Sequence, residues 1–285
     1  MTASRPAKSS RRAVRGGDAT FRVGLVLIGL VVLAAVVSLW WTPFDPEGVF
    51  SDSILLPPGA EHLLGTDSFG RDVFSSLLRG AQISLLVGTV AVSIAAVLGV
   101  PFGIVAGMNP GRLDQFLMRG NDISLAFPAL LLAIIFGAIY GAGTVTAMVA
   151  LGIGTAPAFA LIARSGTMQI MSREYVLAAR AAGKSGLFIG VRHILPNISG
   201  MLIVQASVSF GIAVLAEAAL SYLGLGTPPP TPSWGRMLQE AQGYLFVEPL
   251  LIVWPGIAIA ILVLGFNLLG DGLRDRFDPR MQVKR

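Results

Sequence analysis

Long apolar stretches alternate along the chain with shorter polar segments. A helix needs about 20 mostly apolar residues to cross the hydrocarbon core of a bilayer. Windows of that length predict six spans, at residues 21–41, 82–107, 121–140, 144–163, 199–222 and 250–269. Backbone polar groups in lipid must be hydrogen-bonded within the protein, so each span is predicted to be a helix. The expected fold is all-α, with six transmembrane helices.

Composition supports a membrane protein. Hydrophobic residues make up 54% of the 285 residues and charged residues 13%, whereas roughly a quarter of the residues in soluble domains are charged. The chain contains no cysteine. Disulfides and thiolate metal sites are therefore excluded, and we expect stability to come from helix packing and partner subunits.

Lysine and arginine are unevenly distributed among the connecting segments. Only Arg71, Arg79 and Arg236 lie on one side of the predicted membrane, which leaves 18 of the 21 basic residues on the other. Basic loops stay in the cytoplasm, so both termini and the 174–197 loop are predicted to be cytoplasmic. The net charge of +5 is explained by this topology, and nucleic-acid binding need not be invoked.

The ends of the chain differ in character from the spans. Residues 1–20 are basic and polar without apolar periodicity, and we predict a disordered cytoplasmic tail there. Arg11-Arg12 before an apolar run is reminiscent of a signal peptide, but the run is too long and Trp40, Trp41 and Pro43 occupy the place of a small-residue cleavage site. The predicted divisions are 1–20 (tail), 21–80 (first span and external segment), 81–270 (core, with a cytoplasmic loop at 173–197) and 271–285 (cytoplasmic tail).

The 174–197 loop has a regular internal order. Alanines between Ala178 and Ala182 favour a helix that another surface can approach closely, and Gly183 permits the left-handed turn that ends it. The apolar positions that follow recur at helical spacing between Lys184, Arg192 and His193, which predicts a short amphipathic helix. Its apolar stripe is Leu187, Phe188, Val191, Ile194 and Leu195. Pro196 is expected to end this helix before the next span begins.

This loop resembles the "EAA" loop of ABC importer permeases, on the strength of Ala178, Ala179, Gly183 and Leu195-Pro196 at the family's spacing. In that family the second helix of the loop docks in a cleft of the ATPase subunit. The position of the Glu that names the motif is Leu177 here, with Glu174 three residues earlier, which puts any salt bridge of that Glu in doubt. The alternative is an ordinary basic loop. The resemblance implies ATPase coupling through Ala178, Ala179, Gly183, Lys184, Ser185, Gly186, Leu187, Arg192, Leu195 and Pro196.

A second motif precedes the second span. Leu64-Gly-Thr-Asp-Ser-Phe-Gly-Arg-Asp-Val73 resembles the signature of peptide and nickel permeases of the dipeptide and oligopeptide type. Thr66 or Asp67 is expected to cap a helix whose apolar stripe follows from Val73. Catalysis would require a nucleophile or second base, so a structural role or contact with an external binding protein is favoured. The signature residues are Gly65, Thr66, Asp67, Gly70, Arg71 and Asp72.

The spans themselves are rich in small residues. Gly99, Gly103 and Gly107 repeat on one helical face, and Gly137 and Gly141 do the same in the third span. Small residues allow helices to approach closely in lipid, so we expect helix contacts at both places. Pro101 and Pro157 are expected to kink their helices, in a static bundle or in one that rocks between two packings.

Two acidic residues lie within apolar surroundings. Residues 119–132 and 216–226 also resemble segments of the same permeases, and they contain Asp122 and Glu217. A charge at mid-bilayer costs on the order of 3 kcal/mol, so both are candidates for a gate or pathway. For Glu217, an Arg of a partner permease, backbone groups at the outer gate, a peptide amino terminus and nearby water all remain open as partners.

Other catalytic motifs fail. Gly183-Lys184-Ser185 ends like a phosphate-binding loop, but Ala178 occupies the required Gly position and no strand precedes it. Only His62 and His193 are present, and no metal or nucleophile motif accompanies them. We therefore expect no enzymatic activity, cofactor or metal in this chain.

Taken together, the motifs identify a type I ABC importer permease subunit of the dipeptide, oligopeptide and nickel transport group, over about residues 60–280. The resemblance implies a bacterial plasma membrane, a second homologous permease, two ATPases that bind ATP and Mg, and an extracellular substrate-binding protein. The cargo could be a dipeptide, a longer peptide, a nickel chelate or haem. A stand-alone secondary transporter and a non-transporting membrane scaffold are the alternatives.

Overall fold

The computed structural model describes residues 9–277, with side chains from residue 19. Within that range the fold is all-α, as predicted, with one isolated antiparallel bridge between Thr66 and Asp72. The helices are α1 (Ser9–Val37), α2 (Val73–Met108), α3 (Arg112–Ala126), α4 (Ala129–Tyr140), α5 (Thr144–Met171), α6 (Glu174–Ala181), α7 (Gly186–Ile189), α8 (Leu195–Tyr222), α9 (Trp234–Ala241) and α10 (Leu250–Phe277).

Five apolar helical segments of the described chain are long enough to cross a membrane, or six if one bent pair counts as a span. The bent pair is α3 and α4, which meet at 79° within the predicted 121–140 span. Pro128 cannot donate a backbone hydrogen bond, and Phe127 before it is extended, with φ −92° and ψ 120°, as residues before proline usually are. The third span is therefore broken and not the single straight helix that hydropathy predicts.

α2 and α5 run side by side in the same direction and form the centre of the bundle. A Cβ placed on Gly99 would lie 2.2 Å from the Ala156 backbone oxygen, and one on Gly103 would lie 2.1 Å from that of Ala160. Gly107 meets Thr167 one turn further on. The predicted close contact through these glycines is confirmed, because no larger side chain fits between the two backbones.

The second glycine pair was predicted to act in the same way, but no contact among the described residues supports this prediction. A Cβ at Gly137 would meet no atom within 4 Å, and the same holds for Gly141. Gly141 ends α4 with a φ of +91°, a backbone conformation that glycine adopts without the strain of a Cβ. Pro101 and Pro157 lie inside α2 and α5.

The predicted tail of residues 1–20 requires a correction. α1 begins at Ser9, because adding residues to an existing helix costs far less than nucleating a new one. Residues 1–8 lie outside the described residues. α10 likewise continues to Phe277, and the rest of the predicted 271–285 tail lies outside the described residues.

The bundle has two ends of different character. The coupling end carries residues 173–194, the last turns of α2 and α5, and the first turn of α8. The acidic end carries residues 39–72 and 223–249, which pack on the first turns of α2 and α10. These two acidic-end segments contain eight Asp and Glu residues but only Arg71 and Arg236 as basic residues.

Candidate functional site

The coupling segment, residues 173–197, forms a helix, a glycine turn and a second helix, as predicted. Gly183 has a φ of +71°, and the Lys184 amide donates back to the Ala179 carbonyl at 3.1 Å, which closes α6. Ser185 then caps α7 by accepting from the Phe188 amide at 3.2 Å. The cap fixes the direction of the second helix relative to the first.

Three fully buried side chains anchor this segment in the bundle. Val176, Ile189 and Ile194 are 0–1% exposed and pack in one cluster with apolar residues of α2, α5 and α8. Arg180 also donates to the carbonyl of Met108, the last residue of α2, at 3.3 Å. A displacement of the segment must therefore move the ends of the helices it is packed against.

The opposite face of the segment has no covering residues. Leu187 is 80% exposed, and Leu177 and Val191 are also exposed. His193 lies between the rings of Tyr175 and Phe188, at centroid distances of 5.8 and 5.7 Å, and so joins α6 to α7. Of the predicted coupling residues, Ala179 is half-buried; the exposed ones are Ala178, Gly183, Lys184, Ser185, Gly186, Leu187, Arg192, Leu195 and Pro196.

The prediction that Pro196 ends the second helix is wrong. α7 continues through a π-helical turn, Gly190–Ile194, directly into α8. Pro196 lies in the first turn of α8, directly after the π-helical turn, and a local change of this kind in the hydrogen-bond ladder lets a helix continue past a proline that lacks an N–H. The second helix of the coupling segment and the membrane span thus form one continuous helix of 37 residues, Gly186–Tyr222. A displacement of the exposed end can therefore reach the span without an intervening loop.

At the acidic end, the signature residues fold into a compact turn. Gly65 and Gly70 have φ angles of +79° and +76°, and a Cβ on Gly70 would lie 1.9 Å from the Phe50 carbonyl oxygen. Thr66 donates its hydroxyl to the Ser53 carbonyl and accepts from the Leu56 amide at 2.8 Å. These residues therefore join the 50–56 segment to the start of α2.

The cap of α2 is Asp72, and neither Thr66 nor Asp67 fills that role. Asp72 Oδ2 accepts from the Ser75 amide at 2.7 Å, while its Oδ1 lies 3.0 Å from His62 Nδ1. Asp67 Oδ1 is already occupied within the turn, where it accepts from the Phe69 and Arg71 amides at 2.8 and 2.9 Å. This local bonding excludes it from the cap.

Arg71 is the centre of a buried ion cluster formed by Asp67, Arg71, Arg236 and Glu240, here called the Arg71 cluster. Arg71 Nε donates to Asp67 at 2.6 Å, and a second guanidinium nitrogen donates to Glu240 of α9. Arg236 Nε donates to the other Glu240 oxygen at 2.7 Å. Burial alone would lower the pKa of Arg71, but the Asp67 and Glu240 carboxylates outweigh it and raise that pKa. Arg71 therefore stays charged and holds α9 against the start of α2.

Glu217 lies on α8, five residues before that helix ends at Tyr222. Its side chain is 1% exposed, so the alternative of a carboxylate extending to nearby water is wrong. Oε1 accepts from the Ser221 hydroxyl at 2.7 Å, and that hydroxyl accepts from the Thr227 amide at 3.0 Å. The hydroxyls of Thr227 and Ser233 lie beside the carboxyl group, although no hydrogen bond of ordinary geometry reaches Oε2.

Asp122 is exposed on α3, near enough to Arg164 of α5 to attract it. Arg164 itself makes a bidentate pair with Asp114, at 2.5 and 2.6 Å, and this pair ties α3 to α5. The sequence analysis did not identify Asp114 as a partner of Arg164. The two residues are 50 positions apart on different helices, and no periodicity within either helix indicates the pairing.

The helical bundle with an anchored, outward-facing segment between two spans defines the fold of a type I ABC importer permease. Two inward-facing structures of the MetNI methionine ABC transporter contain a chain with this fold. Both match with a TM-score of 0.59, and the sequence identities are 22% and 21%. Each match covers 71% of this chain, and the two cover 97% and 96% of the MetNI chains. The chain belongs to the family described as "Binding-protein-dependent transport system inner membrane component", whose model matches residues 99–283.

Curated relatives match nearly the whole chain. A di/tripeptide transport system permease protein, DppC, of Pseudomonas aeruginosa is 42% identical over 91% of this chain and 88% of its own length. A putative peptide transport system permease protein of Brucella suis is 44% identical over 97% of this chain and 92% of its own length. The glutathione transport system permease protein GsiD of Escherichia coli is 41% identical over 89% of this chain and 84% of its own length. The chain is therefore a membrane permease subunit and not an enzyme.

Proposed function

We propose that this chain is one of two permease subunits of an ATP-driven peptide importer. The observation that carries the proposal is the coupling segment, which is anchored by Val176, Ile189 and Ile194 and exposes an apolar face around Leu187. An exposed apolar face on a rigid element is typical of a protein interface. A motor that binds this face would push directly on α8, because α7 and α8 are continuous.

Membership of this family supports a set of proposed partners. Two cytoplasmic ATPases would bind ATP and Mg and dock on the coupling residues from Ala178 to Pro196, a second homologous permease would complete the pathway, and an extracellular binding protein would deliver cargo. No cofactor is assigned to this chain itself. The distribution of basic residues supports a bacterial plasma-membrane protein with the coupling end and both termini in the cytoplasm.

The proposed mechanism is alternating access. Closure of the ATPases would displace the coupling segment, and the segment would tilt α8 relative to α2 and α5. At the acidic end, the Arg71 cluster would keep α9 seated while the helices rock. Glu217, hydrogen-bonded to Ser221, would stabilise the turn at the end of α8, and Asp122 would present a carboxylate on the exposed side of α3.

Peptides are the proposed cargo. The relatives are named for di- and tripeptides, peptides and glutathione, which share a peptide backbone with charged ends. An exposed carboxylate such as Asp122 suits a cationic amino terminus. Nickel chelates and haem are less well supported, since none of these three relatives is named for them.

Affinity purification after co-expression with neighbouring genes tests the proposal. We expect two ATPases and a second permease to co-purify, and dipeptide uptake into proteoliposomes to require ATP. Leu187→Asp should abolish ATPase recovery, while Leu63→Asp, a matched change of an exposed leucine at the acidic end, should not. Uptake by the lone chain would instead support a secondary transporter, and recovery without any partner would support a scaffold.

A further inference from the structure

A projecting apolar tip lies at the acidic end between α9 and α10. It consists of Leu245, Phe246 and Val247, here called the 245–247 tip. Phe246 is 96% exposed, more than any other large apolar side chain among the described residues, and Val247 is 70% exposed. Three consecutive apolar side chains that point away from the protein are unusual unless something covers them.

The tip is held in place by its own base. The amides of Val247 and Glu248 both donate to the Tyr244 carbonyl, at 3.0 and 2.8 Å. Tyr244 packs on the buried cluster of Val73, Ala241 and Leu251. The exposed side chains are therefore presented by a hydrogen-bonded turn on a packed support, and presenting them in advance lowers the entropic cost of binding.

The charge of the acidic end as a whole restricts what can cover the tip. The two segments of the acidic end carry eight acidic residues against two arginines, and the arginines are already paired within the Arg71 cluster. Asp45, Asp52 and Glu61 are exposed. Anionic lipid head groups would be repelled by this surface, whereas a protein with basic residues around an apolar pocket would be attracted to it.

We propose that the 245–247 tip is an anchor for the substrate-binding protein, with Phe246 filling an apolar pocket that is surrounded by basic residues. The inference rests on the proposed function, since the family depends on a binding protein and delivery must occur at the acidic end if the coupling end faces the ATPases. A central aromatic anchor inside a charged rim is a common arrangement for a binding hot spot.

Titration of the complete transporter in lipid nanodiscs with purified binding protein tests the inference. Phe246→Asp should weaken binding about tenfold or more, as loss of a hot-spot residue does. Leu63→Asp is the control, because it places the same charge on an exposed leucine of the same end, and binding should change less than twofold. ATP hydrolysis without binding protein should be unchanged in both variants, and wild-type affinity should fall as salt rises.

A fluorophore on Phe246→Cys distinguishes the occupants, since this chain has no native cysteine. In a complex whose other subunits lack reactive thiols, its emission should shift to the blue only when binding protein is added. Quenching by brominated lipids before that addition would place the tip in the membrane and overturn the inference. A shift on assembly with the second permease, or wild-type affinity of Phe246→Asp, would also overturn it. If binding protein fails to stimulate even the wild-type complex, the proposed function itself is contradicted.

Discussion

The Arg71 cluster makes a quantitative prediction about how the acidic end is held together. The Arg71 and Glu240 side chains are 6% and 12% exposed, so their charges are largely withdrawn from water. Removing one partner of a buried pair typically costs about 3–5 kcal/mol. Arg71 keeps Asp67 when Glu240 is removed, and we therefore expect the lower end, about 3 kcal/mol, for Glu240→Ala.

A double-mutant cycle measures the interaction itself. Arg71→Ala and Glu240→Ala are combined, and the apparent melting temperature is followed for wild type, both single variants and the double variant. A coupling free energy of about 2 kcal/mol is expected for charges in direct contact. Because 1 kcal/mol shifts the melting temperature of a chain of this size by about 2–4 °C, the double variant should melt about 4–8 °C above the additive value.

The control cycle pairs Arg71→Ala with Glu61→Ala, an exposed acid of the same end. It should be additive to within about 0.5 kcal/mol. Additivity in the Arg71–Glu240 cycle would refute the reasoning, since α9 would then be seated on α2 by apolar packing alone.

The remaining predictions concern the helix contacts and the glycine turn. Gly103→Ala should destabilise the chain by about 1–3 kcal/mol in thermal unfolding, because the added Cβ would lie 2.1 Å from a backbone oxygen of α5. Gly137→Ala is the control and should be tolerated, because no atom lies within 4 Å of the added Cβ. Gly183→Val should uncouple ATP hydrolysis from peptide uptake or weaken assembly, because the φ of Gly183 is +71°. Gly183→Asn should retain uptake, because asparagine tolerates this conformation. Equal uptake by the two variants would contradict a role for the Gly183 turn in coupling. Asp114→Asn should lower the melting temperature more than Arg164→Lys, because it removes the charge that holds α3 to α5; an unchanged melting temperature would show that the pair is dispensable.

Sequence periodicity predicted the features that depend on neighbouring residues. The apolar spans, the helix–glycine–helix order around Gly183 and the contact face of Gly99, Gly103 and Gly107 all follow from local spacing. Hydropathy missed the break at Pro128, since the apolar run continues through the proline and a window average does not register a missing donor. The local signal was present in the Phe127-Pro128 pair itself.

Features that depend on distant residues were not predictable in this way. Arg71 pairs with Glu240 across 169 positions, and neither residue belongs to a pattern that points to the other. The coupling segment shows the same limit, because the apolar stripe predicted its helix but not which side is buried. Leu187 and Val191 face outward, while Ile189, outside the predicted stripe, is buried.

The central claim is that the coupling segment docks on an ATPase, and site-directed crosslinking tests it most directly. Cysteines are placed singly at Ser185 and Gly186, both exposed at the coupling end, and paired with cysteines in the cleft of the ATPase. A cysteine at Leu63 of the acidic end is the control. The account predicts rapid crosslinks from Ser185 and Gly186 that change in yield when ATP is added, and none from Leu63. Absence of crosslinks from the coupling end in a complex that still imports peptide would contradict it.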